Sequence, residues 1–229
     1  MSLKTADGRL VVVSGASRCG KTTQIANETS TANRICAWDP EDQWSQLRGY
    51  RKVTTRRQLV EAMQTPGHVR LAYVAGGDLK AEFDYWCGVV MYAGRYIKPL
   101  VAVAEELADV TTPSKAPGNW GILIRRGLKR GITIYAISQR WAEADKTAIG
   151  NASEYLLFTS RGEDIDYIAR KTRVPVAELE ALEPFHFIRF DPVTKAKQTG
   201  KLPFAKKTTP KEKIVSTPKR KRTLPYAAA

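Results

Sequence analysis

Up to about Pro192, short apolar runs alternate with longer stretches in which apolar side chains recur at helical spacing. The runs Leu10 to Val13, Ile35 to Trp38, Val69 to Val74, Leu100 to Ala104, Ile132 to Ile137, Tyr155 to Thr159 and Phe185 to Phe190 each predict a strand. The stretches between them predict helices over Lys21 to Thr29, Arg56 to Met63, Ala81 to Tyr96, Trp120 to Lys129, Trp141 to Ile149, Asp164 to Lys171 and Val176 to Leu182. Polar or glycine turns such as Ala75-Gly76-Gly77-Asp78 separate the elements. This alternation predicts an α/β fold with crossover helices. Because the strands read as unbroken apolar runs, both sheet faces should be covered, which favours a mostly parallel central sheet with helices on both faces. No internal repeat of fixed period is present.

Chemistry enters directly after the first strand, where Gly15-Ala16-Ser17-Arg18-Cys19-Gly20-Lys21-Thr22 matches the phosphate-binding P-loop pattern in full. Gly15 and Gly20 allow a backbone wrap whose N–H groups converge on phosphate oxygens, and the helix starting near Lys21 points its positive dipole end at them. The expected ligand is ATP, with Lys21 reaching the β and γ phosphates, Thr22 holding Mg2+ and Thr23 completing the loop. Cys19 is either a thiol activated by Lys21 or a small side chain filling a tight loop.

A second marker is the strand Leu100 to Ala104, which ends in Glu105-Glu106. Ligands of open α/β sheets gather at the carboxyl ends of strands, so both acids should face the P-loop. Glu105 is then the acid that orients the metal, and Glu106 the one that polarises the attacking water. The alternative is an ordinary helix start whose acids complement the dipole. A third marker is Gly131 to Arg140, where Gln139 closes a strand within reach of the γ phosphate or the lytic water. Between the two lies the basic stretch Ile124 to Arg130, with Arg125, Arg126 and Arg130. An arginine there either serves a neighbouring subunit's nucleotide or belongs to a solvated or DNA-facing basic surface.

Composition adds a boundary. The chain has 229 residues and a formal net charge of +14. From Lys195 onward eleven basic residues face one acid, Glu212, so this segment carries ten of those charges, together with Pro203, Pro210, Pro218 and Pro225. Such a segment cannot bury a core of its own, so an ATPase domain over 1–194 and a basic extended tail over 195–229 are expected. The tail suits nucleic acid or an acidic patch of an assembly. The odd set Cys19, Cys36 and Cys87 reads as reduced intracellular thiols, and neither His68 nor His186 has metal-ligand company. No signal peptide and no run of about 18 apolar residues is present, so a soluble protein is expected.

The order of P-loop, strand running into Asp39-Pro40-Glu41-Asp42, acid-ended strand, basic helix before Gly131-Ile132, and Ile137-Ser138-Gln139-Arg140 resembles the FtsK/HerA superfamily of DNA-pumping ATPases. The resemblance covers roughly Leu10 to Lys171, and in size the chain is similar to the genome-packaging ATPases of membrane-containing icosahedral viruses such as tectiviruses. It implies a RecA-like P-loop domain, a homohexamer or similar ring, double-stranded DNA in its pore, and capsid-vertex or membrane-associated viral partners in the host cytoplasm or the virion. Candidate pore loops are Gly76 to Lys80 and Thr111 to Asn119, the latter containing Lys115. Competing readings are a filamentous-phage-type assembly or export ATPase, a P-loop kinase, and an ATP-dependent assembly switch.

Overall fold

The computed structural model describes residues 7–114, 116 and 118–203. Nine strands are present among them: β1 (Leu10–Ser14), β2 (Arg34–Trp38), β3 (Arg51–Val53), β4 (Val69–Tyr73), β5 (Leu100–Ala104), β6 (Ile132–Ser138), β7 (Glu154–Phe158), β8 (His186–Phe190) and β9 (Lys197–Lys201). They form one sheet in the order β3-β4-β2-β5-β6-β1-β7-β8-β9. Every pairing from β3 to β7 is parallel, and β8 alone runs against the rest, pairing antiparallel with β7 and with β9. The helices are α1 (Lys21–Glu28), α2 (Arg56–Gln64), α3 (Leu79–Ala93), α4 (Leu107–Val110), α5 (Gly118–Arg126), α6 (Lys146–Gly150), α7 (Gly162–Thr172) and α8 (Val176–Glu180).

The expected α/β class and mostly parallel sheet are borne out, and the helices divide unequally between its faces. Residues of α2, α3, α5, α6, α7 and α8 pack with Leu10, Val12, Cys36, Leu71, Ala102 and Ile134 on one face. The other face, formed by Val11, Val13, Ile35, Val103, Tyr135 and Leu156, is covered by Ile25 of α1, by Trp44, and by Leu202 and Phe187. This is why every position of β1, β2 and β5 is buried, and all but Ser14 and Arg34 are apolar.

Three expectations need correction. β3 has only Val53 buried, and β9 reads Lys-Gln-Thr-Gly-Lys, so neither carries an apolar run; both pair at the sheet edges through the backbone. The helix expected over Trp141 to Ile149 starts only at Lys146, because the Asp145 carboxylate accepts the N–H groups of Thr147 (2.8 Å) and Ala148 (3.3 Å) and so caps it there. Trp141 is instead a buried plug whose indole N–H donates to the Val13 carbonyl at 3.0 Å.

The third correction concerns the tail. Residues 195–203 pack onto the ATPase domain instead of extending from it: β9 (Lys197–Lys201) pairs with β8, Lys197 forms an ion pair with Glu178, and Leu202 is 2% exposed in the core. The β8 strand is tied inward by Arg189, which pairs with Glu28 of α1 and Glu154 of β7. The rest of the expected tail, 204–229, lies outside the described residues. The free thiols of Cys19, Cys36 and Cys87 are all buried.

Leu202 offers a direct check. Leu202→Ala should lower unfolding free energy by about 2–4 kcal/mol, as for other buried leucines, read by denaturant titration. A midpoint unchanged from wild type would place Leu202 outside the core.

Candidate active site

The loop between β1 and α1 is built by close approach. A Cβ on Gly15 would stand 2.6 Å from Phe158 Cβ and 2.8 Å from Cys19 Sγ, and Ala16 N–H donates to the Thr159 carbonyl at 2.7 Å. Gly20 has φ +107, and a Cβ there would meet Leu202 at 2.4 Å, so this position excludes other residues on two grounds. Gly20 caps α1 without a side-chain acceptor, which leaves the first N–H groups of that helix unclaimed by any cap. Lys21 is 7% exposed, and its ammonium donates to the carbonyls of Gly15 (2.8 Å) and Ala16 (2.7 Å). Burial pushes the Cys19 thiol up despite the neighbouring Lys21, which favours the packing role over an activated thiol.

Both acids at the end of β5 face this loop. Thr22 Oγ1 lies 3.5 Å from Glu105 Oε1, which also accepts the indole N–H of Trp44 at 2.7 Å. Burial raises Glu105 to about 7, against the opposing pull of Trp44 and Lys21. Glu106 adopts a left-handed backbone (φ +48) and accepts a 2.6 Å hydrogen bond from the Gln139 side-chain amide at the end of β6. Burial raises its carboxyl too, while the Gln139 amide and Lys21 oppose that shift.

A cleft of about 450 Å³ joins Ser17, Arg18, Gly20, Lys21, Thr22 and Thr23 to Glu105, Glu106 and Gln139, with Glu41, Gln43 and Phe185 on its rim. The predicted loop, acids and glutamine are therefore brought together. Arg126 and Arg130 are not: they precede β6, at the opposite end of the strand from Gln139 and about 20 Å away by strand rise. Arg126 is exposed, whereas Arg130 donates to the Met91 carbonyl at 2.9 Å. A larger cavity of about 670 Å³, between α2 and α3, contains none of the residues predicted for the nucleotide site.

The cleft fits a nucleoside triphosphate and a magnesium ion. The observation is the donor set: a buried ammonium and uncapped helix N–H groups for phosphate, and a hydroxyl beside a carboxylate for a hard cation. Sequence reasoning missed Trp44, Phe185 and the cleft-facing Glu41 and Gln43. The last two sit on a turn that Asp39 fixes by accepting the N–H groups of Gln43 (2.8 Å) and Ser45 (3.0 Å). Phe185 reaches the cleft because its N–H donates to the Cys19 carbonyl at 3.1 Å.

In fold, the chain is similar to the genome packaging NTPase B204 of Sulfolobus turreted icosahedral virus 2 in complex with AMPPCP. The TM-score is 0.70 at 14% identity, over 84% of this chain and 97% of B204. The bacterial conjugative coupling protein TrwB superposes with a TM-score of 0.61 at 9% identity, over 86% of this chain and 85% of TrwB. The chain has the fold of the RecA-like P-loop ATPases. In sequence, it is 31% identical over 139 residues to protein P9 of Pseudoalteromonas phage PM2, covering 60% of this chain. It thus spans 62% of the length of that curated relative. No protein-family model matches the chain. The expected likeness to packaging NTPases is present at the level of the P-loop ATPase fold, and no helix of the described residues is long and apolar enough to cross a membrane.

Glu105 supplies a test of this geometry. Its carboxyl is raised from an ordinary 4.5 to about 7, so the folded state keeps a proton that the unfolded chain loses. Stability is therefore forfeited as pH rises from about 4.5 to 7, by about 3 kcal/mol in all. Glu105→Gln should raise the thermal midpoint at pH 8 and leave it nearly unchanged at pH 4.5. Equal midpoints at both pH values would mean that the carboxylate is not desolvated.

Proposed function

We propose that this chain is an ATP-hydrolysing motor of the FtsK/HerA type, acting as a ring that moves double-stranded DNA in viral genome packaging. The reading rests on one observation above others: Glu106, held by Gln139, stands with Glu105 across a cleft from Lys21 and Thr22. A kinase needs a second pocket for an acceptor beside the phosphates. The cavity of about 280 Å³ that adjoins the cleft is lined by Glu41, Glu106, Asp109, Gln139, Arg140 and Glu143, so carboxylates and a glutamine border the phosphate site, which suits activation of water.

Bound ATP and its Mg2+ would supply the scissile phosphoanhydride and a Lewis acid. Lys21 holds negative charge as the γ phosphate departs, exchanging carbonyl partners for phosphate oxygens. Thr22 and Glu105, which lie side by side, would hold the metal and its water. Glu106 accepts the proton of the attacking water, and its raised basicity suits that task at neutral pH. Gln139 links the carboxylate to the end of β6 and senses whether the terminal phosphate is attached.

An arginine from a neighbouring subunit would complete the site. Exposed Arg126 is better placed to reach another chain than Arg130, whose guanidinium is engaged with Met91. DNA contact would be mainly to phosphates, as a motor indifferent to sequence requires. The basic residues of 204–229 would add to that contact, a role also open to docking at a capsid vertex. Of the candidate pore loops, Gly76 to Lys80 follows β4 at the same sheet edge as the cleft. Thr111 and Asn119 are instead tied to Leu107 and Asp84, and Lys115 lies outside the described residues.

Hydrolysis should rise when long duplex DNA is added to the full chain. Glu106→Gln should cut the stimulated rate by roughly 100-fold or more while nucleotide binding persists, as loss of a general base predicts. Stimulated hydrolysis that survives Glu106→Gln would overturn the assignment, and turnover that requires a small acceptor would make the protein a kinase.

A further inference from the structure

We propose that Trp44 is a positioning residue for the nucleotide site: its indole N–H pins the Glu105 carboxylate in the orientation that sets it beside Thr22, where the metal would be held. The inference rests on the reading of Glu105 as the metal-orienting acid and goes beyond it by naming what orients the acid itself.

The geometry is asymmetric. Trp44 Nε1 donates to Glu105 Oε1 at 2.7 Å, and Thr22 Oγ1 approaches the same oxygen at 3.5 Å. No described residue donates to Oε2. A buried carboxylate with one tethered oxygen has its rotation about the terminal bond fixed, so Glu105 is held in a single orientation where it lines the cleft beside Thr22. Such second-layer hydrogen bonds commonly set metal affinity by 10- to 100-fold.

Trp44 is itself rigidly held. It is fully buried, packs edge-on against Tyr50 with ring centroids 5.4 Å apart, and opens the short helical turn that Asp39 organises after β2. That same turn carries Glu41 and Gln43 to the rim of the cleft. An indole is an expensive way to fill a gap that phenylalanine could fill. Its N–H is what phenylalanine lacks, and the hydrogen bond to Glu105 is what that N–H does.

The test compares Trp44→Phe with Trp120→Phe in the full chain. Trp120 also donates a buried indole N–H to a carboxylate, that of Asp145 at 3.1 Å, but away from the cleft. Calorimetry measures the affinity for a non-hydrolysable ATP analogue with Mg2+ and with EDTA. Trp44→Phe should lose about tenfold in Mg2+ and nothing in EDTA, and Trp120→Phe should change neither. Added to Glu105→Gln, Trp44→Phe should have no further effect. An unchanged Mg2+ affinity in folded Trp44→Phe overturns the proposal alone. A wild type whose affinity ignores Mg2+ overturns the metal site and the proposal together.

Should Trp44→Phe not fold, the indole N–H resonances of the wild type decide. The one displaced by Glu105→Gln belongs to Trp44, and it should shift when Mg2+ is added to the analogue-bound protein. A resonance that stays in place overturns the proposal.

Discussion

The parallel register of β5, β6 and β1 is the constraint on which the candidate site depends. Ser14 stands opposite Ser138, and Ala104 opposite Ala136, so three neighbouring strands run out at nearly the same level. Strands in a sheet lie about 4.8 Å apart. Gly15, Glu105 and Gln139 therefore leave the sheet side by side, and no long loop is needed to assemble them. A slip of one residue in β5 would turn both acids to the other faces and dissolve the cleft.

This edge is then closed from two sides by segments that are distant in sequence. The turn after β2 brings in Trp44, Glu41 and Gln43, while the β8–β9 hairpin sets Phe185 and Leu202 against the loop at Gly20. Closure desolvates the carboxylates, which raises Glu105 and Glu106 and makes the site costly to the fold. Groups held at such a cost in a cleft are a mark of chemistry rather than of stability. The buried Lys21 ammonium offsets part of that cost for both acids.

Much of this was legible in the sequence, for a definable reason. The P-loop is eight consecutive residues, and Glu105, Glu106 and Gln139 follow apolar runs directly, so local pattern alone placed them at strand ends. Trp44 was hidden because it lies in the polar stretch after Asp39, with no periodicity to suggest burial. Leu202 was hidden because basic neighbours made it look like tail. β3 and β9 lack apolar runs because edge strands can be held by backbone hydrogen bonds alone. Arg126 and Arg130 looked close to the acids in sequence order, yet the length of β6 sets them at the far end of the sheet.

In the proposed mechanism Lys21 exchanges its carbonyl partners for phosphate oxygens, within a site that would hold metal and acid together. The most direct measurement is a crystal structure of the full chain with Mg2+ and a non-hydrolysable ATP analogue. It should show the Lys21 ammonium on β and γ phosphate oxygens instead of the Gly15 and Ala16 carbonyls, with Thr22 and Glu105 flanking the ion and Glu106 beside the γ phosphate. Nucleotide bound elsewhere, or phosphates in the loop with both carboxylates turned away from them, would contradict it.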